Sequence, residues 1–136
     1  MKPRFSHAPY TAAVQQALVD VGCVPDLVRT VEERTGLRRS LVRVEGLRLL
    51  WEEEKGWSAA QGSDGGTGGI WWCSGEVVAP PEQVAEWVVR VLAHEESARG
   101  VEQGRVSEPE LEEALAAYVD PVWLAGPHPE TDPAWI

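Results

Sequence analysis

The chain has 136 residues, 43 % of them hydrophobic, and a formal net charge of −10. That length is one domain with some chain to spare, and it can bury enough surface to fold without disulfide or metal staples. A net negative field does not draw phosphate backbones or anionic lipid, so neither nucleic acid nor a membrane is an expected partner.

The N-terminus, Met1 to His7, has the positive start of a signal peptide but no apolar stretch after it. No run approaches the ~18 apolar residues of a membrane span, and the cytoplasm is the expected compartment. His7 is expected in a loosely held arm. Residues 9–22 read as the first helix. Pro9 suits the first turn, and Ala13, Val14, Ala17, Leu18 and Val21 recur at one-face spacing. Thr11, Gln15, Gln16 and Asp20 fall on the wet side, and Gly22 supplies the stop.

After Pro25, three strands are expected. Leu27–Glu33 alternates roughly, and Thr35-Gly36 turns the chain. Leu41–Glu45 places Val42 and Val44 on one face. Leu47–Glu53 places Leu47, Leu49 and Trp51 on one face and Arg48, Leu50 and Glu52 on the other, bulk on both sides that marks a central strand. The Glu54-Lys55-Gly56 link has hairpin chemistry, and Trp57–Gln61 returns as the partner strand. Trp51 and Trp57 then approach across the hairpin, on the same face or diagonally.

Gly62–Gly69 lacks the Lys-Ser/Thr ending of a phosphate loop, and the strand-like Ile70-Trp71-Trp72 follows it, so it reads as a long hairpin loop. Ile70–Val78 is the expected next strand, with Gly75 marking a bulge or an edge. The second helix opens at Pro80-Pro81-Glu82 and is expected to run to about Glu96. Val84, Trp87, Val88, Val91 and Leu92 make its apolar stripe, a lid for the sheet face of Leu49 and Trp51. Ser97–Val106 reads as a linker. Ser107 with Glu110 forms a capping box, starting a helix over Glu108–Val119 with Leu111, Ala114, Leu115, Tyr118 and Val119 on one face.

Residues 1–93 hold 12 acids and 10 bases, and residues 94–136 hold 10 acids and 2 bases. The chain therefore divides into an expected α+β domain over 1–96 and an acidic appendage over 97–136. The fold is an N-terminal helix, a four- to five-stranded antiparallel sheet, a long covering helix, an appended C-terminal helix and a proline-rich tail. The tail from Asp120 onward is too rich in proline for regular structure, yet carries Val122, Trp123, Leu124, Trp135 and Ile136.

Three segments carry a resemblance. They are Tyr10-Thr-Ala-Ala-Val with Ala17-Leu18, the run Leu49-Leu-Trp-Glu-Glu-Glu-Lys-Gly-Trp57, and Pro80-Pro-Glu-Gln-Val-Ala-Glu-Trp-Val88. Together, over about residues 10–95, the chain resembles a family of small actinobacterial proteins known only as a domain of unknown function. The resemblance implies a helix, a meander of strands and a closing helix, and no activity. The element order also looks like small acidic secretion chaperones, an analogy of fold alone.

No motif for nucleophilic catalysis, metal ligation or nucleotide binding stands out, so no catalytic residue, metal or cofactor is expected. Cys23 and Cys73 read as buried apolar residues. Glu52, Glu53 and Glu54 alternate in direction and make a poor carboxylate pair. Arg38, Arg39, Arg43 and Arg48 read as one small basic patch, with Trp71 beside it. The expected function is a non-enzymatic protein-binding module, adaptor or chaperone-like. Leu111, Leu115, Tyr118, Trp123, Leu124, Trp135 and Ile136 are its candidate anchors for a protein partner or a second copy. Two alternatives stand beside it. One is a ligand-binding protein or small enzyme with a pocket of Trp51, Trp57 and Trp71. The other is an acidic DNA-mimicking inhibitor.

Overall fold

The computed structural model describes residues 5–61, 69–73, 75–104 and 106–119. The element order is α1 (Ala8–Asp20), β1 (Leu27–Glu32), β2 (Arg38–Val44), β3 (Leu47–Glu52), β4 (Gly56–Gln61), β5 (Trp71–Trp72), α2 (Pro81–Leu92), a 3-10 turn (Glu96–Ala98) and α3 (Glu108–Ala116). The strands form one antiparallel meander in sequence order. This is the expected α+β class.

Turn chemistry sets the register. Val44 pairs with Leu47 across a two-residue loop, and both loop residues have positive φ, 49° at Glu45 and 79° at Gly46. That is the primed turn whose twist matches flanking strands. It fixes Val42 opposite Leu49 and Ser40 opposite Trp51. The next hairpin turns over Glu53, Glu54 and Lys55, with Gly56 at φ 83°, and sets Trp51 directly opposite Trp57.

One face of the sheet is covered by helices. Tyr10, Val14 and Leu18 of α1 and Val84, Trp87, Val88 and Val91 of α2 bury against Val42, Val44, Leu47, Leu49, Trp51, Trp57, Ala59 and Trp71. The stripe expected for α2 is the buried one. For α1 the buried stripe is rotated from the expected one: Tyr10 and Thr11 go inward, whereas Val21 is 48 % exposed. Thr11 is buried because its hydroxyl lies 2.6 Å from that of Ser40 and donates to the His7 carbonyl at 3.1 Å. A buried polar group is tolerated when it is paired in this way.

The expected strand over Ile70–Val78 shrinks to Trp71–Trp72, because core side chains capture the carbonyls that follow. Trp51 Nε1 donates to the Val77 carbonyl at 2.7 Å, and the Tyr10 hydroxyl donates to that of Ala79 at 2.6 Å. Residues 97–106 are likewise more than a linker. Ala98 is buried, and its carbonyl accepts from Trp87 Nε1 at 2.9 Å.

Helix α3 has its expected cap, Ser107 Oγ accepting from Glu110 N at 3.3 Å. It is no appendage, however. Leu111 and Leu115 belong to the same core cluster as the sheet, and the Tyr118 ring lies 5.0 Å from that of Tyr10. Nine helical residues are too few to hold helix in water unaided, and packing supplies the difference.

Helix α2 ends at Leu92, short of the expected Glu96, in a tight left-handed cap. His94 has φ 59°, its N–H donates to the Val91 carbonyl at 2.9 Å, and Glu95 N donates to that of Arg90 at 3.0 Å. Glycine holds this position without strain; histidine does not. The expected outcome of His94→Gly is a stability gain of roughly 0.5–1 kcal/mol, read as a higher urea midpoint with unchanged slope. An unchanged or lower midpoint would contradict the cap.

Candidate functional site

The tryptophans expected to line a pocket instead fill one. Trp51, Trp57 and Trp71 are 0 %, 1 % and 3 % exposed. Trp57 Nε1 donates to the Tyr10 hydroxyl at 2.9 Å, Tyr10 packs edge-on to Trp51 at 5.7 Å, and the Arg99 guanidinium lies 4.1 Å above Trp71. Burial pushes the Tyr10 hydroxyl far above its ordinary pKa and the Cys73 thiol up to about 11, so neither is a reactive group near neutral pH.

His7 is not in a loose arm. It is 5 % exposed, stacked on Trp51 at 5.7 Å, with Nε2 2.6 Å from the Arg39 carbonyl. The carbonyl only accepts, so Nε2 carries the proton in the neutral ring. Burial lowers its pKa, against the raising effect of that bond; Arg38 lowers it further, and Glu32 and Glu53 oppose.

Arg38 was grouped by sequence with a basic surface patch. It is 1 % exposed and points into the helix-covered face. All five of its N–H groups are used. Nη1 donates to the Phe5 carbonyl at 2.6 Å and to Glu112 Oε1 at 3.0 Å. Nη2 donates to Glu112 Oε2 and to Glu53 Oε2, and Nε donates to Glu53 Oε1. Phe5 N closes the cluster by donating to Glu112 Oε1 at 2.7 Å. Burial alone would lower the Arg38 pKa, but the bonds to Glu112 and Glu53 outweigh it and raise the pKa, so the group is charged.

The opposite face of the sheet carries no helix among the described residues, and the register assembles it. Leu27, Arg43 and Arg48 lie in one row, Arg29, Leu41, Leu50 and Ser58 in the next, and Val31, Arg39 and Glu52 in a third. Leu41 and Leu50 are half-buried, whereas Arg29, Arg43 and Arg48 are exposed. Arg39 pairs with Glu33 at 2.7 Å and Arg43 with Asp26 at 3.2 Å, both exposed contacts of small worth. Among the described residues, no ion pair involves Arg29 or Arg48. Arg43 and Arg48 stand directly opposite each other, an arrangement that repels. Four guanidiniums around an aliphatic strip can bind carboxylates bidentately beside apolar side chains.

Of the expected anchors, Leu111 and Leu115 are in the core and Tyr118 is half-buried; Trp123, Leu124, Trp135 and Ile136 lie outside the described residues. Among the described residues no cluster of His, Cys, Asp and Glu is placed to hold a metal, and no helix is long and apolar enough to cross a membrane.

The sequence pattern of a family described as "Family of unknown function (DUF6292)" matches residues 10–90. No curated protein and no solved structure matches the chain.

Glu112→Ala strands the buried Arg38 charge, and its expected cost is about 3–5 kcal/mol, read by chemical denaturation. A loss under ~1 kcal/mol would place the cluster in water, since exposed pairs are worth that little. His7 gives a pH signature. Its folded pKa is depressed, so the unfolded chain binds the extra proton. Stability present above about 6.5 is lost as pH falls through that value toward the lower folded pKa. His7→Phe should flatten this part of the melting-temperature profile between about pH 7 and 5, and equal slopes in both proteins would show that His7 is not buried neutral.

Proposed function

The chain belongs to this family of unknown function, and we propose that it is a non-enzymatic protein-binding module whose open sheet face docks an acidic segment of a protein partner. The observation that carries this is Arg48 set opposite Arg43 with no ion pair of its own among the described residues, on a chain of net charge −10. Like charges opposite each other cost stability, and the fold gains nothing from them. An acidic partner turns that cost into binding energy. Leu41 and Leu50 between the arginines supply the apolar contact that a protein ligand offers and a bare phosphate chain does not. The negative field of the whole molecule disfavours a polyanion spanning beyond the patch, whereas a short acidic segment can pair locally with Arg29 and Arg48, away from the acids beside Arg39 and Arg43.

The test uses the full chain and a labelled peptide of alternating glutamate and leucine. The expected result is saturable binding that weakens with salt, with amide shifts on β1, β2 and β3. Arg48→Glu should weaken binding at least tenfold while raising stability by about 0.2–1 kcal/mol, because it replaces a repulsive cross-strand pair with an attractive one. Peptide binding that ignores Arg48→Glu, or tighter binding of single-stranded DNA than of peptide in the same assay, would overturn the reading.

A further inference from the structure

We infer that β1 is the contact edge of a symmetric dimer, in which the β1 strands of two copies pair antiparallel about Val31 and join the two sheets into one. β1 ends the sheet, and no described strand lies beyond it. Its outer side is open: Arg29, Thr30 and Val31 are exposed, Val31 by 45 %. The backbone phase of that edge follows from the ladder. Glu33 N donates to the Leu37 carbonyl at 2.8 Å, so the odd-numbered residues of β1 turn their N–H and C=O groups toward β2. Thr30 therefore turns its own pair outward, where no described group meets it. An extended edge of this kind is a template for another strand.

The side chains on the open face select that strand. Centred on Val31, the pairing sets the two Val31 side chains against each other and Arg29 of each copy against Glu33 of the other. Residues directly opposite lie about 5 Å apart at Cβ, close enough for an ion pair. Arg29 has no ion pair of its own among the described residues. Glu33 binds Arg39 through Oε1 at 2.7 Å, which leaves Oε2 for Arg29 of the second copy. Sliding the copies by two residues either way sets Val31 against a charge and takes the acid away from Arg29. Charges on an edge strand ordinarily hold copies apart. The order Arg29, Val31, Glu33 is complementary to its own reverse, so here the charges specify a register instead. A foreign strand of one sign would leave Arg29 or Glu33 opposed by like charge, which is why the occupant is a second copy. Arg48 on β3 lies two strands in from the contact, so this inference does not rest on the reading of the arginine face. The overlap is short, from Arg29 to Glu33, which makes the dimer a weak one.

The experiment is sedimentation equilibrium of the full chain in about 0.15 M salt, which screens the repulsion between two copies of net charge −10. The concentration series runs to about 1 mM, the weak end of measurable affinities. The expected result is a mass that rises from monomer toward dimer. Arg29→Glu and Glu33→Arg should each weaken association roughly tenfold or more, because each sets like charges opposite at both ends of the pairing. An equimolar mixture of the two variants should associate again, since each supplies the charge that the other lacks. A variant that had merely lost its fold would not be rescued by mixing. Thr30→Pro removes the outward N–H, suits an edge strand, and should give a folded monomer. Monomer mass throughout the series would overturn the inference. So would a dimer indifferent to both charge variants or to Thr30→Pro, or a mixture that associates no better than its components.

Discussion

The fold depends on one guanidinium. Arg38 enters β2 on the covered face and binds a carboxylate from the β3–β4 turn, a carboxylate from α3 and a backbone carbonyl from the segment before α1. Glu112 is 74 residues away in sequence and Phe5 is 33 away, so the bonds join pieces that no local interaction holds. An arginine removed from water must have all its donors met, and these are met by groups that arrive only when α3 docks. The cluster thus makes α3 conditional on the sheet and the sheet edge conditional on α3. It also sets Phe5 and His7 at the start of α1, where His7 covers Trp51. A nonpolar substitute of similar shape could fill the same volume, but it would not specify which helix lies there or in which register.

Much of the fold was legible in the sequence because the covered face obeys simple periods. The α2 stripe, the Ser107 cap, the antiparallel sheet and the Trp51–Trp57 hairpin all follow from alternation, helical spacing and turn glycines. The departures have a common cause, which is polar capture at long range. Val77 left the expected strand, and Ala79 just beyond its end is held outside the sheet, because Trp51 and Tyr10 took their carbonyls. Thr11 left the wet face of α1 because Ser40 was opposite it. Neither partner lies within the window from which a local pattern is read.

Arg38 is the instructive departure, because its signal was present. In β2 the even positions Arg38, Ser40, Val42 and Val44 share a face, and Val42 and Val44 already marked that face as buried. Parity alone separates Arg38 from Arg39 and Arg43. The strand expected over Leu41–Glu45 stops short of Arg38, so its parity does not reach that residue, and an arginine outside a strand is expected on the surface. What parity could not supply was the pair of carboxylates. Glu53 lies in the hairpin turn, and Glu112 looked like one acid among many in an acidic stretch. The density of acid after residue 94 hid Glu112, the one buried glutamate of that stretch among the described residues.

The two faces of the sheet handle arginine in opposite ways, and the contrast bears on function. On the covered face a single guanidinium is matched with two carboxylates and every donor is satisfied. On the open face four are spread across three strands, and two of them, Arg43 and Arg48, are set against each other. A chain with 22 acids has no shortage of carboxylates to place opposite Arg48, and a single Arg-to-Glu change there would remove the repulsion. Folding therefore does not account for the arrangement. In water the repulsion between exposed guanidiniums is weak, which lets the fold tolerate it. Beneath a docked apolar segment the effective dielectric falls, and both the repulsion without a carboxylate and the attraction with one grow. The same pair that costs the free protein little then rejects a neutral ligand and retains an acidic one, so the discrimination appears only when the face is covered.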